Sequence, residues 1–121
     1  MRSLCMRAAA AGVMAAAAGM AGGGTWATLT NPAPANINLM LLMSDGTVMC
    51  AVNGGATIGN QWYRLTPDNT GSYRNGTWSA RASMADTRLY YSAQVLKDGR
   101  LFVAGGEYGT GTARAEVYNT Q

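Results

Sequence analysis

No histidine occurs among the 121 residues, so chemistry in this stretch falls to phenols, carboxylates, thiols and guanidinium groups. Ser-His-Asp and Cys-His arrangements are therefore excluded within it. The densest candidate is the run Gly105-Gly106-Glu107-Tyr108-Gly109-Thr110-Gly111-Thr112. It follows a strand-like segment, but it lacks the lysine and the spacing of a phosphate loop, and no helical pattern follows it. It reads as a surface loop, where binding residues concentrate. Glu107 and Tyr108 are its candidate contacts to a sugar or a peptide. Asp45 and Asp98 each precede a glycine and belong to turns, not to an acid–base pair. The run Leu39-Met40-Leu41-Leu42-Met43 reads as a central strand buried on both faces, not as a methionine metal site. Among the residues themselves, none is assigned a catalytic or metal-ligating role.

The charge pattern points away from nucleic acid. Nine basic and six acidic residues give +3, and without Arg2 and Arg7 the balance is only +1. The remaining basic residues are scattered, whereas nucleic-acid binding needs them clustered on one face. Residues 1–23 begin with the short basic segment MRSLCMR and continue as an Ala/Gly-rich apolar run. That layout is expected of a secretory signal peptide, too short and too weakly apolar for a membrane span. Export, the periplasm or the cell surface is the implied location, and an integral membrane protein is not. If Cys5 leaves with the leader, Cys50 has no disulfide partner, and its apolar neighbours predict a small buried hydrophobe.

An internal repeat organises the rest of the chain. Gly24-Thr25-Trp26 recurs as Gly76-Thr77-Trp78 at a spacing of 52, and Asp45-Gly46 recurs as Asp98-Gly99 at a spacing of 53. Leu65 and Tyr118 share the offset of 53, as do Tyr63 and Glu116. Each Asp-Gly sits between two apolar runs, which predicts hairpin tips at Met43–Val48 and Leu96–Leu101, built on type I′ turns. Further strands are expected at Gln61–Leu65 and Glu116–Tyr118, with another turn at Asn75-Gly76 before Trp78. No segment after residue 24 combines helical periodicity with caps, so the fold class is all-β. A module of about 50 residues with short antiparallel strands and fixed Gly and Trp marks has the form of a propeller blade.

The second module carries Trp78, Arg88 ahead of Tyr90-Tyr91-Ser92, the Asp98-Gly99 turn, an apolar strand ending in Gly105-Gly106, and Glu116-Val117-Tyr118-Asn119. In these marks it resembles a kelch repeat. The first module departs from the pattern, with Val52-Asn53 at the diglycine position and Gly54-Gly55 two residues later. The resemblance implies antiparallel kelch-type β-propeller blades, with residues 24–75 as a degenerate first unit and 76–121 as a truncated second one. Because propellers close with several blades, it also implies an N-terminal fragment with an incomplete propeller of about two blades, and an open blade face and edge that favour aggregation. Trp26, Asp45, Gly46, Trp78, Arg88, Asp98, Gly99, Gly105, Gly106 and Tyr118 are then structural marks. The aromatics are expected to fill the space between blades and Arg88 to satisfy carbonyls between repeats.

The implied role is a binding or interaction module with a protein or carbohydrate ligand and no cofactor. Two alternatives remain. One is a cell-surface structural repeat protein. The other is a copper radical oxidoreductase similar to galactose oxidase, in which Tyr90, in Arg88-Leu89-Tyr90 and eight residues before Asp98, would be the copper ligand and radical site. In that family the tyrosine is cross-linked to a cysteine at the position occupied here by Ile37. Copper also prefers imidazole ligands, which would have to come from outside this stretch.

Overall fold

The computed structural model describes residues 23–52 and 58–120. The proposed leader with Cys5, and the Gly54-Gly55 pair, lie outside the described residues. Within them the chain forms seven strands and no helix: β1 Ile37–Leu42, β2 Val48–Val52, β3 Gln61–Thr66, β4 Thr77–Arg81, β5 Ser92–Val95, β6 Leu101–Ala104 and β7 Ala115–Tyr118. They build two antiparallel meanders, a four-stranded sheet in the order β1-β2-β3-β4 and a three-stranded sheet in the order β5-β6-β7. Neither sheet closes on itself. No helix of the described residues is long and apolar enough to cross a membrane.

The two meanders are one repeat in register as well as in sequence. Leu42 opposes Val48 and Met40 opposes Cys50, while 53 residues later Val95 opposes Leu101 and Ala93 opposes Val103. The next pairing behaves alike: Cys50 faces Tyr63 and Val48 faces Leu65, as Val103 faces Glu116 and Leu101 faces Tyr118. Even the irregularities coincide. β1 shifts register between Ile37 and Leu39, and the residue 53 beyond Ile37 is Tyr90, whose φ is +53°.

Both hairpin tips also repeat, although their turn differs from the expected type I′. Gly46 N–H donates to the Met43 carbonyl and Met43 N–H to the Thr47 carbonyl; Gly99 N–H donates to Leu96 and Leu96 N–H to Arg100. Each loop thus has three residues, and only its glycine takes positive φ, +79° at Gly46 and +84° at Gly99. This is a type I turn closed by a glycine bulge. Asp45 and Asp98 stay in the ordinary region and use a carboxylate oxygen to accept the backbone N–H of Thr47 and Arg100.

Alternation along each strand separates two faces. Leu39, Leu41, Met49, Ala51 and Trp62 of the first sheet pack with Ala93, Val95, Leu101, Val103 and Tyr118 of the second, together with Met43, Met84 and Tyr91. Burying each such large aliphatic chain contributes about 1.5–3 kcal/mol. A small cavity of about 70 Å³ remains between the sheets beside Met49, Trp62, Met84 and Leu101.

Two further expectations need correction. β1 is an edge strand, not a central one; Met40 and Leu42 are 64% and 65% exposed, because apolar content alone does not say which strands flank a strand. Trp26 does not fill an interface but is fully exposed; it lies outside any strand, whereas Trp78 sits on β4 opposite Leu65. The aromatic that enters the shared core of the first unit is Trp62, only 3% exposed.

Candidate functional site

The site residues expected from sequence lie where the segment leading into β5 meets the loop from β6 to β7. Leu89 N–H donates to the Tyr108 carbonyl and Glu107 N–H to the Leu89 carbonyl, so the two segments run side by side like a short ladder. Gly111 N–H donates to Thr87 O, and Thr110 N–H to the Thr87 hydroxyl. The amides of Glu107, Thr110 and Gly111 are thereby committed within the protein, which removes them from any phosphate cradle.

Arg88 fixes the shape of this loop. Its side chain is completely buried, and its Nη1 lies 2.5 Å from the Gly105 carbonyl, 2.6 Å from Gly111 and 2.8 Å from Arg114. Its Nη2 donates to Glu116 Oε1 at 3.0 Å and lies 3.7 Å from Asp86 Oδ2. All these partners belong to the second unit. The link to the first unit is made by the Arg88 backbone, which exchanges hydrogen bonds with Gly59 in both directions. A guanidinium taken out of water needs paired carboxylates and filled donor positions, and this loop supplies most of them. The glycines follow from it: a Cβ on Gly111 would press on the guanidinium, and one on Gly109 would overlap the Thr87 carbonyl.

The carboxylates are held in turn. Glu116 accepts the Ala85 N–H at 2.7 Å and the Asp86 N–H at 3.2 Å. Burial on its own would raise the Glu116 pKa, but these N–H donors and Arg88 outweigh it and hold the carboxyl below its ordinary value of 4.5. Asp86, nearly buried, accepts the Thr110 hydroxyl and Arg114 Nη1 at 3.1 and 3.0 Å. The sequence reading does not single out Asp86 or Arg114, and it marks Glu116 only as part of the repeat. The signal that could have found them was Arg88 itself, since an arginine between apolar segments needs a carboxylate partner when buried.

With its inner side locked, the loop presents Tyr108 outward, and the adjoining segment before β5 presents Tyr90. They are 64% and 49% exposed, with ring centroids 6.4 Å apart at an interplanar angle of 65°, an edge-to-face pair. Tyr90 is the single described non-glycine residue at positive φ, a strained conformation that persists only where the surroundings impose it. Glu107 is exposed beside Tyr108 and makes no ion pair among the described residues. An exposed edge-to-face tyrosine pair offers apolar ring surface that can stack on a sugar or on a peptide side chain.

The described residues do not by themselves make up a copper site. Tyr90 offers one phenol, and among the described residues no group of three or more His, Cys, Asp or Glu side chains could hold a metal. Cys50 is fully buried in β2, and burial pushes its thiol up to about 11. Ile37 stands where the resemblance would place the cross-linked cysteine. The hairpin aspartates Asp45 and Asp98 line one shallow pocket with Ser44 and Thr120. Each is engaged with its own turn, and Asp98 also with Arg100 at 2.6 Å. No family model, curated protein or solved structure matches the chain.

Proposed function

We propose that the chain is part of an exported, kelch-like β-propeller that serves as a binding module, with the loop surface of Tyr90, Glu107 and Tyr108 as its contact to a carbohydrate or protein ligand. The observation that carries this reading is the exposed Tyr90–Tyr108 pair, with Glu107 exposed next to Tyr108 in the sequence, where the segment before β5 meets a loop whose inner side is pinned by Arg88. A preformed aromatic surface loses little conformational entropy on binding. Two meanders with one register, packed face against face, support the blade reading. Leader and location belong to the same proposal.

The test is binding of the full chain to immobilised oligosaccharides and peptides, comparing the native sequence with Tyr108→Ala and Glu107→Gln. Both positions are exposed, so the circular dichroism should be unchanged while retention drops at least tenfold. Equal retention by all three proteins would reject the site. The oxidoreductase alternative rests on Tyr90 alone and would need bound copper together with a tyrosyl-radical absorption band that Tyr90→Phe abolishes.

A further inference from the structure

Two arginines of the first unit are held quite differently from Arg88. The register sets Arg64 on β3 opposite Ser79 on β4, and Trp62 opposite Arg81. Directly opposed residues, and residues two apart along a strand, share a face of the sheet. Arg64, Ser79 and Arg81 therefore lie on one face with Trp62, and the two arginines are diagonal neighbours, about 7–8 Å apart at the backbone. Like charges so placed repel each other unless a negative charge offsets them.

The chain offsets them only in small part. Arg64, whose side chain is 13% exposed, has one ion pair among the described residues, a long one of 3.9 Å from Nη1 to Asp45 Oδ2. That carboxylate is half exposed, and its Oδ1 accepts the N–H and the hydroxyl of Thr47. Arg81 is partly buried and has no ion pair among the described residues. The Nε of each is closed off from solvent and has no hydrogen-bond partner. Arg88 Nε is unpartnered too, but the Nη atoms of Arg88 are met by three carbonyls and two carboxylates. Neither Arg64 nor Arg81 has such a set among the described residues. A buried donor left unpaired in a folded chain calls for an explanation, and a bound ion is one.

We propose that Arg64 and Arg81, with the Ser79 hydroxyl on the same face, form a site for a small tetrahedral oxyanion of the phosphate or sulfate class. Guanidinium forks match the oxygens of such an anion, and charge-assisted hydrogen bonds to it are strong. One anion shared by both arginines removes their repulsion. The site is built from β3 and β4 and is independent of the tyrosine surface, so Tyr108→Ala leaves it unchanged.

Isothermal titration of the full chain with inorganic phosphate, against chloride at matched ionic strength, tests it. The native chain should take up one phosphate saturably, and Arg64→Met and Arg81→Met should each weaken uptake about tenfold or more. Methionine keeps an apolar stem in place, and Arg74→Met, in the exposed loop before β4, should bind as the native chain does. Phosphate also stabilises proteins as an excluded solute, but that effect neither saturates nor distinguishes the variants. If a variant shows an altered circular dichroism spectrum, the native chain answers the same question: phosphate should move the Nε–H resonances of Arg64 and Arg81 and leave that of Arg74 in place. Uptake that does not saturate, native affinity in either variant, or unmoved Arg64 and Arg81 resonances would overturn the proposal.

Discussion

The two units share register and hairpin turns, yet among the described residues only the second carries a buried ionic cluster. In the second unit a buried arginine gathers three carbonyls and two carboxylates around itself. In the first, the residues 53 positions earlier are Ala35 for Arg88, Ala33 for Asp86 and Tyr63 for Glu116. The same meander therefore forms with and without the ionic cluster. Strand pairing here depends on alternating apolar residues and on the Asp-Gly turn, while the cluster determines the course of one loop. Tyr108 lies on that loop and Tyr90 on the segment beside it, so the cluster fixes the surface proposed above to bind a ligand.

The comparison is most sharply broken at Arg88. Arg88→Met leaves Glu116 and Asp86 without their buried counter-ion and should cost about 3–5 kcal/mol in urea unfolding. A loss near zero would mean that the cluster contributes no net stability. Lysine should not restore it, because one ammonium cannot reproduce the guanidinium fork. Gly111→Ala forces a methyl group against that guanidinium and should cost about 1–3 kcal/mol through overpacking. Ile58, its counterpart in the first unit, is exposed and should accept alanine at little cost.

The hairpins probe the shared part. Gly46→Ala and Gly99→Ala both place a Cβ at a φ near +80° and should each cost about 1–2 kcal/mol. Unequal losses would show that the two turns are not equivalent in energy. The smallest effect is the pH dependence of the second unit. Glu116 is depressed in the folded chain, so the unfolded chain binds more protons as acid is added. Its contribution is then fully present above the unfolded value and is lost as pH falls through the folded one. Glu116→Gln should flatten that part of the stability profile, whereas Tyr63→Phe in the first unit should leave its shape unchanged. Asp68, pulled down to about 2 chiefly by the Thr70 hydroxyl, lies in the loop from β3 to β4, so both variants retain its acid response.

The hairpins were legible because Asp-Gly between apolar runs is a local signal. The turn type was not, because a three-residue loop with one left-handed glycine satisfies the same dipeptide. The edge position of β1 escaped the sequence because Met40 and Leu42 look like core residues, and what covers them is not encoded nearby. Trp26 shared a tripeptide with Trp78, but no described strand lies beside it to pair with. Arg88 was recognisable as structural, while its partner Glu116 lies 28 residues away, and only the folded chain brings the two together. Glu107 and Tyr108 were readable from loop composition, and the edge-on contact with Tyr90 emerged only once the ladder at Leu89 and Tyr108 was in place.

The central claim is that both units are one repeat with pairings offset by 53 residues. Cross-strand backbone contacts in a nuclear Overhauser spectrum test it most directly. The account predicts that Cys50 opposes Met40 and Tyr63, and that Val103 opposes Ala93 and Glu116. A one-residue slip in either sheet, such as Val103 opposing Val117, would contradict it.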